Sequence, residues 1–249
     1  MDSGSLAPLW DAHVHLPAYL EPGEVVAGAG RRGMRLVSVS VSPAEAAPNL
    51  RLREGNASTV KCFIGVHPSE AATTPVGLDE LSTLWEAADG VGEVGLDPKY
   101  SEVSARSAQM ELFRAQVEIA GRLKKPLQVH SRGAEETCLD VLDGYSLGAL
   151  LMHWFEGEEL LERVLSRPRT FVSFGPAILY SKKLLRIAKR CPPEAVLAES
   201  DGPVAFAALG GAGGPGLVPS VAFKLAELWG KSLDEAFLQL SLNSKSYLG

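Results

Sequence analysis

From Leu9 to Leu16 the chain reads LWDAHVHL, with polar side chains at every second position among apolar ones, and this period predicts a strand. RLVSVSVS (35–42) predicts a second strand, with β-branched residues at alternate positions. VKCFIGVHP, GVGEVGLD (90–97), PLQVHS (126–131), LGALLMHW (147–154), TFVSFGP (170–176) and AVLAESD (195–201) supply six more. Helical spacing appears between several of them. It is clearest in SARSAQMELFRAQVEIAGRLKK, where Met110, Phe113, Val117 and Ala120 predict the buried stripe. VPSVAFKLAELWG and SLDEAFLQLSL predict two closing helices. Strands alternating with helices predict an α/β fold, a (β/α)8 TIM barrel, formed by residues 1–249 as one domain. The segment after the second strand, PAEAAPNLRLREGNAS, predicts only a short, poorly capped helix. GGAGGPG (210–216) predicts a flexible loop at the barrel mouth.

Strand side chains alternate between the barrel interior and the helix layer. Sending Ala12 and Val14 outward turns Asp11, His13 and His15 inward. Sending Val94 and Leu96 outward turns Glu93 and Asp97 inward. The same reading turns in His130 between Val129 and the strand end, His153 after Met152, and Glu199 and Asp201 after Ala198. Four of the five histidines belong to this set, and His15, His130, His153 and Asp201 fall at the C-terminal strand ends, where catalytic groups of such barrels collect. Burying this cluster without compensation is costly. Imidazoles and carboxylates are ligands for a divalent cation, and this many suits two ions with a glutamate between them.

The whole-chain properties narrow the partners. A net charge of −6 excludes a broadly basic nucleic-acid coat but not an enzyme that grips one strand end. Three widely spaced cysteines, Cys62, Cys138 and Cys191, predict reduced, buried thiols and a cytoplasmic location. The opening MDSGSLAPLW lacks the pattern of a signal peptide, and no apolar run approaches the roughly 20 residues of a membrane span. No obligate protein partner is implied.

DAHVH, GEVGLD, VHSRGA, MHWFEG and ESDGP, in this order and spacing, resemble the TatD-type metal-dependent deoxyribonucleases, (β/α)8 barrels of the amidohydrolase-like superfamily. The resemblance implies a first metal on His13 and His15, a bridging Glu93, and a second metal on His130 and His153. It implies that Asp201 ligates the first ion and orients or deprotonates the attacking water, making Asp201 and Glu93 the catalytic pair. His67 would touch substrate phosphate, with Ser131 and Arg132 close by. Lys99 is a candidate phosphate grip, and Tyr100 and Trp154 are candidates to stack a base. Asp11, Asp97 and Glu199 would orient the ligands, the alternatives being a purely structural role for Asp11 and Asp97 and a pairing with a lysine deeper in the barrel for Glu199. Two divalent ions (Mg²⁺, Mn²⁺ or Zn²⁺) and single-stranded DNA ends are the implied cofactors and substrate.

The sequence departs from the family pattern in three places. Pro98 and Lys99 stand where an aromatic often follows GLD, Trp154 stands where cysteine is common, and the loop after the last strand is small and apolar where it is often polar. These leave the metal residues intact and bear on substrate. The alternatives are an amide or ester hydrolase, acting on a small or aminoacyl-tRNA substrate, and a barrel that binds a nucleotide or partner without catalysis.

Overall fold

The structure is a computed structural model that describes residues 7–74, 81–99 and 105–249. Among the described residues, eight parallel strands form one sheet in sequential order: β1 (Trp10–Val14), β2 (Arg35–Val39), β3 (Val60–Ile64), β4 (Gly90–Gly95), β5 (Pro126–His130), β6 (Ala149–Met152), β7 (Thr170–Phe174) and β8 (Val196–Ala198). Each lies inside one of the eight predicted segments. The sheet curls back on itself beyond β8, where Asp201 N–H donates to His13 O (3.0 Å) and His15 N–H donates to Gly202 O (2.8 Å). Helices alternate with the strands: α1 (Pro22–Arg31), α2 (Pro43–Gly55), α3 (Ser82–Ala87), α4 (Arg106–Leu123), α5 (Glu135–Leu142), α6 (Leu161–Leu165), α7 (Lys182–Arg190), α8 (Val218–Trp229) and α9 (Leu233–Leu248). The fold is a (β/α)8 TIM barrel.

Two apolar clusters divide along the strand period. Leu36, Ile64, Leu127, Val129, Leu150, Met152, Val172 and Val196 pack outward against helix residues such as Phe113, Val117 and Leu139. Trp10, Val37, Val39, Phe63, Leu151, Phe171 and Leu197 fill the barrel, joined by Tyr247 from α9. The Tyr247 ring meets Phe63 and Phe171 at centroid distances of 5.9 and 5.7 Å, and its hydroxyl donates to Leu127 O at 3.1 Å. Helix α9 starts on a capping box between Ser232 and Glu235.

Four expectations need correcting. Ala12 packs inside the barrel with Trp10, not against the helices. The β1–β2 register slips between Asp11 and Val14, and this bulge lets Ala12 and His13 both face inward. The stripe of α4 is rotated: Gln109, Leu112 and Gln116 are buried beside Phe113, while Met110 is only half-buried. Helix α2 runs for 13 residues despite Pro48. Pro43 occupies its first turn, and buried Asn49 ties it to the sheet by donating to Ser38 O (3.2 Å) and Phe63 O (3.1 Å). The glycine-rich stretch is not merely a loop, since Ala205–Phe206 (β9) and Gly211–Ala212 (β10) pair as a short antiparallel hairpin.

Candidate metal centre

At the C-terminal end of the barrel, β1, β4, β5, β6 and the turn after β8 bring His13, His15, Glu93, His130, His153 and Asp201 together. His13 Nε2 lies 3.3 Å from His15 Nε2, 3.5 Å from Glu93 Oε2 and 3.6 Å from Asp201 Oδ1. His15 Nε2 lies 3.6 Å from Glu93 Oε2 and 3.1 Å from Asp201 Oδ1. Ligand atoms about 2.1 Å from a shared ion in tetrahedral geometry stand about 3.4 Å apart, so this donor set fits one cation. The other carboxylate oxygen of Glu93 faces a different group. Its Oε1 is 2.8 Å from His130 Nδ1 and 3.8 Å from both His67 Nε2 and His153 Nε2.

Bulges aim two of these residues. Besides the slip in β1 before His13, the β4–β5 register shifts between Val91 and Val94, at the point where Glu93 turns inward. Gly95, at φ +147°, then runs against the next strand, where an added Cβ would lie 1.8 Å from His130 O. Asp201 sits at φ +49°, a left-handed backbone conformation that a side chain rarely adopts. Strain of this kind concentrates at functional sites.

A further layer fixes the imidazoles. Gln128 Oε1 accepts from His13 Nδ1 at 2.7 Å while its Nε2 donates to Ala12 O, which leaves His13 Nε2 as the bare nitrogen. Asp97 Oδ2 lies 2.8 Å from His130 Nε2, and Glu199 Oε2 lies 2.9 Å from His153 Nδ1. In each ring the nitrogen facing the centre is the one its carboxylate or amide partner leaves free, the arrangement metal-binding histidines use. Asp11 takes its bonds from Ser200 N (2.8 Å), Ser200 Oγ (2.6 Å) and the His13 backbone, not from an imidazole. It thereby ties β1 to the turn that carries Asp201.

The electrostatics follow from this crowding. Burial pushes the Glu93 carboxyl up, but His67, His13 and His130 outweigh it and hold it well below its usual range. Burial opposes protonation of His130 and His153. Asp97 and Glu93 nevertheless lift His130 to about 9, and Glu199, Asp201 and Glu93 lift His153 to about 10. His67 goes the other way, pushed down to about 4 by burial. Its Nδ1 accepts the Ser69 N–H at 3.1 Å, so the neutral ring carries its proton on Nε2, directed toward Glu93.

Above this floor opens a cavity of about 730 Å³, walled by Lys99, Ser131, Arg132, Trp154 and Val204 among others. Lys99 and Arg132 are exposed, and Trp154 is half-buried. Tyr100 lies outside the described residues. The pieces that sequence reasoning missed are Gln128, Gln109 and Gln116. Gln116 brackets Val66, accepting its N–H (2.7 Å) and donating to its C=O (3.0 Å) beside His67. Gln109 accepts the Asp97 N–H (3.0 Å) and donates to Pro68 O (3.1 Å). Helix α4 therefore sets both the His67 loop and the Asp97 loop. Their signal was an amide inside an otherwise apolar face.

The family model for TatD-related DNase matches residues 10–249. The chain belongs to the TatD-related DNase family. Human deoxyribonuclease TATDN3 is 26% identical over 213 residues, covering 78% of each chain. The uncharacterized metal-dependent hydrolase YabD of Bacillus subtilis is 28% identical over 195 residues, covering 73% of this chain and 74% of its own. The crystal structure of YJJV, a TatD homolog from Escherichia coli, superposes with a TM-score of 0.88 at 23% identity, covering 98% of both chains. Against the TatD pattern, Trp154 and the apolar hairpin stand together: the indole stacks on Phe206 of β9, with centroids 5.5 Å apart and planes 17° apart. Among the described residues no helix is long and apolar enough to cross a membrane.

Proposed function

We propose that this protein, folded as one barrel domain over residues 1–249, is a two-metal phosphodiesterase acting on single-stranded DNA ends. The observation that carries this reading is Glu93, whose Oε2 faces His13 and His15 while its Oε1 faces His130, His67 and His153. Such a carboxylate would be shared by two divalent ions. His13, His15 and Asp201 would hold the first with Glu93, and His130 and His153 would hold the second. Divalent ions in such a pair polarise phosphoryl oxygens, activate water and clamp the attacking and leaving oxygens of a displacement.

The chain's own groups do the rest. Gln128, Asp97 and Glu199 keep the three inner imidazoles in one orientation. Burial pushes Asp201 up, but the bond to His15 and the nearby His153 and His13 hold it below its usual range, so it is charged at neutral pH and would orient or deprotonate the attacking water. His67, Lys99 and Arg132, which line the cavity, would meet phosphoryl oxygens as charge develops there. Three buried, unpaired thiols suit a reducing, cytoplasmic setting.

The test is cleavage of a 3′-ended single-stranded oligonucleotide by metal-stripped protein reloaded with Mg²⁺, Mn²⁺ or Zn²⁺, beside a panel of small amides and esters. Oligonucleotide cleavage that disappears in Glu93→Ala and Asp201→Ala supports the reading. Turnover confined to amides or esters, aminoacyl esters of tRNA included, overturns it in favour of the second hydrolase reading, toward which the apolar hairpin at the mouth points. Unchanged metal content and activity in both variants would leave only a binding barrel.

A further inference from the structure

Trp154 follows directly on His153, and its backbone φ is +42°. A bulky side chain in the left-handed region persists only where its surroundings fix it. Here they do. The Trp154 N–H donates to Ser173 Oγ at 3.1 Å, and the indole lies flat on Phe206, which is itself 2% exposed. Phe206 is locked in turn by the hairpin. Gly213 N–H donates to Val204 O at 2.7 Å, and a Cβ on Gly213 would come within 2.6 Å of the Phe206 ring. Tyr19, from the turn after β1, clamps the same glycine by donating to its carbonyl at 3.2 Å.

Phe206 thus backs the indole, and the half-buried Trp154 and the 40% exposed Val204 both line the cavity. Trp154 and Val204 give the cavity an apolar, aromatic patch and Lys99 and Arg132 give it cations, while Glu135, Glu156 and Glu159 also line it, Glu156 paired with Lys183 at 3.2 Å. A nucleotide has this same division into a flat apolar base and an anionic phosphate. Simple rim packing would not require a strained backbone to present a ring to the opening. We propose that Trp154 is a specificity-determining residue whose indole stacks the nucleobase beside the scissile phosphate, with Phe206 as its backing. This rests on the phosphodiesterase reading and adds the feature of substrate that the mouth selects.

The experiment compares two single-stranded oligonucleotides that differ only at the cleaved end, one carrying a base there and the other a tetrahydrofuran residue without one. Stacking on one aromatic ring predicts that wild-type protein prefers the base-bearing end by about 5- to 150-fold, expressed in KM. Trp154→Ala brings that ratio toward one, and Trp154→Phe keeps part of it. The anisotropy of the same oligonucleotides bound to metal-stripped protein reads the preference without turnover. Equal affinity and equal KM for both ends in wild-type protein, or a full preference surviving in Trp154→Ala, overturns the proposal. If neither strand is cleaved, the phosphodiesterase reading fails, while the binding ratio still decides whether Trp154 stacks a base.

Discussion

Single side chains in this barrel are positioned by partners that never reach the cavity. Glu199 is fully buried and meets His153 Nδ1 at 2.9 Å, and Gln128 meets His13 Nδ1 at 2.7 Å. Weakening such contacts typically costs 10- to 100-fold in metal affinity. Glu199→Gln and Gln128→Ala should therefore loosen divalent-ion binding by that factor while the fold survives, as competition with a chelator would report. Ion binding as tight as in wild-type protein would show that these contacts serve the core alone. At the opposite end of the barrel, Asp89 carries stability. It receives Cys62 N–H (3.0 Å), Lys61 (2.9 Å) and Arg53 (3.1 Å). Burial pushes its carboxyl up, but these donors outweigh burial and hold it below its usual range. A depressed native pKa gives stability that is complete above the unfolded value of about 3.9 and is lost as pH falls through the native one. Asp89→Asn should cost about 1–3 kcal/mol at pH 7 and flatten the fall in stability below about pH 4, measured by urea unfolding across pH.

At the scale of strands and helices, irregularity is where the chemistry sits. Both register slips, in β1 before His13 and in β4 at Glu93, fall where a candidate ligand turns inward. Gly95 lets β4 run against the His130 carbonyl, and no side chain fits there. Gly95→Ala should push β4 and β5 apart, lengthen the 2.8 Å contact between Glu93 and His130, and destabilise the fold by roughly 2 kcal/mol or more. Loss of one bound ion per chain alongside a lowered melting temperature would be the signature. An alanine variant with wild-type stability and metal content would show that the strands can yield. These slips also mark where the sequence stopped being legible. The inward turn of His13, His15, Glu93, His130, His153, Glu199 and Asp201 follows from alternation counted back from the strand ends. Ala12 was misplaced because one extra residue in β1 breaks the count. Gln109 and Gln116 were passed over because an amide on an otherwise apolar helix face is only a weak local signal. Its reason lies in the loops of Val66 and Asp97, distant in sequence.

For the whole molecule, the barrel makes residues separated by nearly 190 positions meet, as His15 and Asp201 do at 3.1 Å. The alternation of strands and helices made that architecture readable from the chain alone. The hairpin over the mouth was not readable, since GGAGGPG carries few side chains and its order comes from Tyr19 and Phe206. The central claim is that Glu93 divides the donors at the mouth into two cation sites. Anomalous diffraction from crystals grown with Mn²⁺ or Zn²⁺ tests it directly. Two peaks about 3.5–4 Å apart are expected, one on each side of the Glu93 carboxylate. A single peak, or two peaks that Glu93 does not join, would contradict it.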